Sequence, residues 1–235
     1  MANAGATAYE GPITSTPFTI GGTKIQLARP ADPDLMLEAA DVQAWNARDD
    51  YMPYWAYLWP GSYMLADCLG RTAEIGPGVT CLEIGCGLGL AGLKALAMGA
   101  SVHFTDYDST ALAYVARSIE ESGLDATRAT FERLDWRDLP ADRRYQVILG
   151  ADVLYERRLV PLVANLLARM LEPGGLALLA GPYRVATKDL PEALKAEGLV
   201  CEVADIEIES PELGPLRGEL HTVRRRTVAM PSEPI

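Results

Sequence analysis

The chain is poor in several things that would announce a function. It has only two histidines, His103 and His221, far apart in sequence and both in strand-like runs. A metal site needs more ligands than that, so none is expected. The four cysteines, Cys68, Cys81, Cys86 and Cys201, show no CxxC spacing. They read as reduced and mostly buried thiols of a cytoplasmic protein. No window reaches the ~18 continuous apolar residues of a membrane span. The first residues, "MANAGATAYEGPITSTP", lack the basic flank and apolar core of an export signal. Positive charge is also scarce. Lys and Arg number 21 against 32 Asp and Glu, a formal net charge of −11. Such a surface repels phosphate backbones and argues against a nucleic-acid partner. The run Arg224-Arg225-Arg226 is the local exception, read as a solvated segment of an edge strand.

Apolar residues make up 49% of the 235, which argues against a disordered chain and suffices for the core of one α/β domain. Residues 1–17 are small and polar and are expected to be loose. "FTIGGTKIQLARP" (18–30) predicts a hairpin turning at Gly21-Gly22. "DPDLMLEAADVQAWNA" (32–47) predicts one helix capped by Asp32, with Pro33 at its first position. An aromatic-rich stretch follows and leads into a helix from about Gly61. From residue 79 strands and helices alternate, which implies a parallel sheet with right-handed crossovers. The last two strands have no helix between them and should pair antiparallel. The expected fold is a doubly wound, seven-stranded, mostly parallel Rossmann-like sheet with its last strand antiparallel. Residues 1–60 are expected to form an N-terminal extension and 61–235 the main domain.

The most informative stretch is "CLEIGCGLGLAGLKALAMGASVHFTDYD" (81–108). An apolar strand stops at Glu83, crosses glycines, turns helical, and a second strand ends at Asp106. Gly87, Gly89 and Gly92 fit the dinucleotide spacing GxGxxG, while Gly85, Gly87 and Gly89 fit GxGxG directly after the strand. In a dinucleotide site the first fingerprint glycine closes the strand. Here Gly85 closes it, and the fingerprint counted from Gly85 meets Leu90 where glycine is required. A carboxylate at Glu83 repels a pyrophosphate and favours a ligand carrying an ammonium group. S-adenosylmethionine (SAM) combines a nucleoside, a cation and an amino acid. Asp106 can accept both ribose hydroxyls of SAM or of NAD and does not separate them.

Residues 81–183 resemble a class I SAM-dependent methyltransferase. "CLEIGCGLG" is similar to the first motif of that family, "FTDYD" to its second and "RLDWRD" to its adenine-binding segment. "LEPGG" resembles the turn before the fifth strand. A narrower resemblance joins "YWAYLWPGS", "LDW" and "LGADVLYE" to the family 16 methyltransferases, many of which modify protein lysines. By that resemblance Glu83 and the loop Gly85, Cys86, Gly87 and Gly89 face the methionine end of SAM. Asp106 holds the ribose and Tyr107 packs near the adenine. Asp135 accepts from the adenine amino group, with Trp136 beside it. Trp59 covers the cofactor and Ala151 lines the methionine. Asp152 and Tyr155, the acid and aromatic of the family's short motif, become the catalytic candidates. Plainer readings stand beside these: Trp59 and Trp55 as core, Asp135 capping a turn with Arg137, Tyr107 as a surface ring. The expected partner is a protein with an accessible lysine, or a small amine; no nucleic acid and no membrane is expected. A small-molecule methyltransferase, a non-catalytic SAM binder and an NAD-dependent oxidoreductase remain the alternatives.

Overall fold

The computed structural model describes residues 9, 11–49 and 51–225. The expectation of loose chain at 1–8 and 10, Arg226 of the arginine run and the end of the last strand beyond it lie outside the described residues. Strands β1 (Ile13–Ile20) and β2 (Thr23–Pro30) form the expected hairpin, with Gly21 and Gly22 both at positive φ. That conformation suits a two-residue turn between twisted strands. β1 begins at Ile13, so residues 13–17 are strand and not loose chain. The single helix expected over 32–47 is two. A 3-10 helix spans Pro33–Glu38, capped by the Asp32 carboxylate on Asp34 N–H, and Ala39 breaks into extended backbone before α1 (Ala40–Asp49).

The remainder follows the alternation. α2 (Pro60–Leu69) and β3 (Thr80–Glu83) lead to α3 (Leu90–Ala97), β4 (Ser101–Asp106), α4 (Ser109–Ser122) and β5 (Ala129–Arg133). Then come β6 (Tyr145–Ala151), α5 (Leu159–Met170), β7 (Leu171–Pro182), α6 (Leu190–Ala196), β8 (Leu199–Ser210) and β9 (Gly214–Arg225). The seven-stranded sheet runs β5-β4-β3-β6-β7-β9-β8, and β9 is antiparallel to both neighbours. The last strand is therefore interior. Arg224 and Arg225 sit on it, with Arg224 paired to Glu74, so these two arginines are not on a sheet edge.

Alternation along β3 divides the core. Cys81 joins the layer made with α2, α3, α4 and the hairpin, and Leu82 joins the layer made with α5 and α6. α3 is buried almost all round. Its Lys94 is covered by the hairpin, and the ammonium donates to Ile20 O, Gly21 O and Thr23 Oγ1 at 3.0, 3.2 and 2.5 Å. Ser118 and Ser122 of α4 accept from Ala28 N and Gln26 N, fixing β2 along that helix. All four cysteines are free thiols. Among the described residues no His/Cys/Asp/Glu cluster suits a metal, and no helix is long and apolar enough to cross a membrane.

Candidate active site

The sheet order reverses between β3 and β6, and the carboxyl ends of β3, β4 and β6 open there into a cavity of about 550 Å³. Open α/β sheets place ligands at this crevice because the crossover helices on either side diverge. The loop after β3 forms its floor. Gly85 and Gly87 stand at φ of 55° and 52° and line the cavity. A side chain at Gly85 would meet the Trp136 ring at 3.1 Å, and one at Gly87 the Trp55 backbone at 3.4 Å. Bare backbone there lets a ligand lie against the main chain. Gly89 has a different task. It precedes α3 at φ 75°, where a Cβ would strike Val115 of α4 at 2.7 Å. Gly92 likewise packs on Phe104 and Glu83. The GxGxG count thus divides into two cavity glycines and one packing glycine.

Glu83 does not reach the cavity. It is buried behind the loop, and one of its carboxyl oxygens has no hydrogen-bond partner. Burial pushes its pKa from 4.5 to about 8. Asp106 does line the cavity. Its oxygens accept from Gly87 N–H at 2.8 Å and Asp108 N–H at 3.0 Å. Burial outweighs these bonds and raises its pKa to about 6. A carboxylate has about four acceptor sites, so these bonds leave room for a further donor such as a ribose hydroxyl.

Tyr107, Asp135 and Trp136 line the same end. Two guanidiniums lie by the Tyr107 ring, Arg133 at 4.9 Å and Arg137 at 5.5 Å from its centroid. Asp135 is gripped by Arg137 through Nε at 2.8 Å and Nη2 at 2.7 Å, and it accepts Arg137 N–H. The turn-capping reading of Asp135 is therefore realised, and this pairing lowers its pKa.

The aromatic segment 51–59 forms the opposite wall. It is tied down by Asp108, a residue to which the resemblance assigns no role. The Asp108 carboxylate accepts from Tyr51 Oη at 2.5 Å, Trp55 Nε1 at 3.0 Å and, as the cap of α4, Thr110 N at 2.8 Å. Asp two residues after Asp106 and just before "STALAY" is a cap signal that could have flagged it. Trp59 lines the cavity, donates its Nε1–H to Tyr54 O at 2.8 Å and meets the Tyr54 ring edge-on at 5.7 Å. Tyr54 in turn meets Tyr155 edge-on at 5.4 Å. Trp55 is the one that behaves as core, packed on Tyr114.

Cys86 and Ala151 also line the cavity, as do Asp152 and Tyr155. Asp152 is 8% exposed and is the one described non-glycine residue at positive φ, 54°. One oxygen accepts Gly61 N–H at 2.6 Å, at the start of α2, and the other accepts Arg184 Nη2 at 2.7 Å. Neither partner was legible locally; both come from elsewhere in the chain. Burial raises the Tyr155 pKa to about 12, so its phenol stays protonated.

These residues fit SAM. Asp106 and Asp108 set carboxylates beside the glycine loop, which oppose a pyrophosphate and suit a cation. The arginines on the cavity wall, Arg137, Arg158 and Arg184, are each paired with Asp135, Glu156 or Asp152, leaving no surplus positive charge for phosphates.

Residues 54–189 match the lysine methyltransferase family. The electron transfer flavoprotein beta subunit lysine methyltransferase of Xenopus laevis is 30% identical over 130 residues, 55% of this chain and 52% of that protein. The histidine protein methyltransferase 1 homolog of Dictyostelium discoideum is 33% identical over 103 residues, 42% of this chain and 33% of that one. The chain thus spans about half or less of the length of the curated relatives it matches. Among solved structures, the T. thermophilus 16S rRNA N2 G1207 methyltransferase, in complex with AdoMet and guanosine, superposes with a TM-score of 0.61. It is 16% identical, covering 91% of this chain and 51% of that one, a likeness of fold alone. The family match runs over more than half of the chain, and on it rests the conclusion that this protein belongs to the lysine methyltransferase family, whose cofactor is S-adenosylmethionine.

Proposed function

We propose that the protein transfers a methyl group from SAM to the side-chain amine of a lysine in a protein partner. The observation that carries this reading is the aromatic mouth, Tyr54, Trp59 and Tyr155, set beside the buried carboxylate of Asp152 on one cavity. When bound, SAM supplies a methyl group already activated by its sulfonium. The protein's own residues must orient two reactants and exclude water. In this reading the Gly85–Gly87 backbone supports the cofactor's amino-acid end. Asp106 accepts the ribose hydroxyls, and Tyr107 and Trp136 flank the base. Asp135 is held by Arg137 and contributes mainly by fixing that wall.

A lysine amine is a nucleophile only when neutral, and its ordinary pKa is ~10.4. Aromatic walls and a nearby cation lower that value by removing water and adding like charge. The rings at the mouth also hold a cation by its attraction to their faces before the proton leaves. The proton departs to solvent, since the Tyr155 phenol is already protonated. Asp152 positions the incoming nitrogen. The acidic surface steers a basic protein toward the mouth. In this reading residues 61–235 form the methyltransferase domain, and residues 1–60 are an extension that supplies Tyr54 and Trp59 to the mouth.

The test is incubation with methyl-labelled SAM and cell lysate, followed by mass spectrometry of labelled peptides. Methylated lysine is expected. Label confined to histidine, to nucleic acid or to low-mass products overturns the lysine reading.

A further inference from the structure

Asp152 is fixed from every side. Its N–H donates to Ala180 O at 2.9 Å, one carboxyl oxygen is taken by Gly61 N–H, and its side chain is 6% exposed. The Arg184 side chain, in the loop after β7, is 30% exposed and also lines the cavity. Both of its hydrogen bonds, Nη2 at 2.7 Å and Nε at 3.3 Å, fall on the same oxygen of Asp152. Among the described residues that guanidinium bonds to nothing else. Two-point pairing of guanidinium and carboxylate normally engages both oxygens, and here Gly61 has claimed one. The pair therefore has an immobile partner and a partner with its own path to water.

We propose that Arg184 is a latch on the acceptor site: its guanidinium occupies the place at Asp152 that the acceptor's ammonium takes, and the acceptor displaces it. This rests on the reading of Asp152 as the group that positions the amine. Without a cation, Asp152 is a buried carboxylate lacking its charge partner, which is costly, so a vacated site favours another cation. With Arg184 present, an entering amine must replace an existing contact. The latch thus sets the affinity threshold for amines. An ammonium on a protein surface, steered and held by further contacts, passes it more readily than a free small amine. Arg184 is a positioning residue in this scheme and touches neither methyl nor sulfur.

The experiment reads amine binding and needs no turnover. n-Butylammonium, a mimic of the lysine side chain, is titrated by calorimetry into wild type, R184Q, R184K and R184Q/D152N, each loaded with S-adenosylhomocysteine. R184Q keeps the aliphatic stem and removes the charge. It should bind the amine at least tenfold tighter than wild type, about 1.4 kcal/mol. R184K should resemble wild type, and the double variant should lose the gain. Equal or weaker binding by a folded R184Q, or a gain that survives D152N, overturns the latch. Should R184Q melt early, R184M replaces it under the same criteria. If the nucleoside binds to none of them, the cofactor assignment fails, and the same titration on unloaded protein still decides the latch. If R184Q gains the amine yet no lysine is methylated in lysate, the latch stands and the lysine reading falls.

Discussion

Removing the Asp108 carboxylate should loosen one whole wall of the site. D108A deletes three bonds at once: the cap on Thr110 N, and the acceptor for Tyr51 Oη and for Trp55 Nε1. Loss of a helix cap costs about 1 kcal/mol. A donor stranded in a buried place costs about 1–3 kcal/mol. Trp55 and Tyr51 are 5% and 8% exposed, so both donors are left in a buried place, and the indole N–H can only donate. About 1 kcal/mol for the cap and the low end for each of the two donors gives a loss of about 3 kcal/mol, a melting point ~6–12 °C lower for a chain of this size. D108N is the sharper comparison. It keeps the cap oxygen but places an amide N–H₂ against a donor-only indole, so it should recover about the cap's ~1 kcal/mol and no more. Because segment 51–59 walls the cavity, SAM affinity should fall about tenfold in D108A, ~1.4 kcal/mol. Scanning calorimetry and titration with SAM read both quantities. A D108A melting point close to that of wild type, with unchanged affinity, would refute the idea that this carboxylate anchors the wall.

Two further outcomes are expected. Glu83 is held protonated by burial, with its pKa moved from 4.5 to about 8, so the folded form keeps a proton that the unfolded form releases. Wild-type stability should therefore be greatest below pH 4.5 as far as this group goes and decline as pH rises toward 8, at up to ~1.4 kcal/mol per unit. E83Q should lack that component; parallel urea-unfolding stabilities for the two proteins between pH 5 and 8 would contradict it. G61A places a Cβ 2.6 Å from both Ala180 O and an Asp152 oxygen, so backbone must shift. A loss of about 1–3 kcal/mol is expected by thermal melting.

The alternation of β4 and α4 was legible because each carries one clear period, 2 and then 3.6, between plain stops at Asp106 and Gly123. The hairpin was legible from Gly21-Gly22 alone. The helix over 32–47 was not, since its break at Ala39 leaves no glycine or proline in the sequence. At the site, Gly85, Gly87 and Asp106 follow from local pattern because loop and acid belong to one βα unit and its neighbour. The depth of Glu83 was not legible, because a period-2 strand says which face a residue takes but not how deep it lies. Gly61, Arg184 and Asp108's hold on Tyr51 join positions from 32 to 91 residues apart, and pairing at that range leaves no trace in composition or spacing.

The insertion of β9 between β7 and β8 has a consequence for how the chain matures. During synthesis β8 emerges first, with its true neighbour still unmade. Until β9 arrives, β7 and β8 each display an unpaired ladder, and a direct β7–β8 pairing, parallel and non-native, is within reach. The sheet therefore closes by threading its final strand into a gap, a slow, long-range event. A substitution that weakens β9 should harm yield in the cell more than it harms the finished protein.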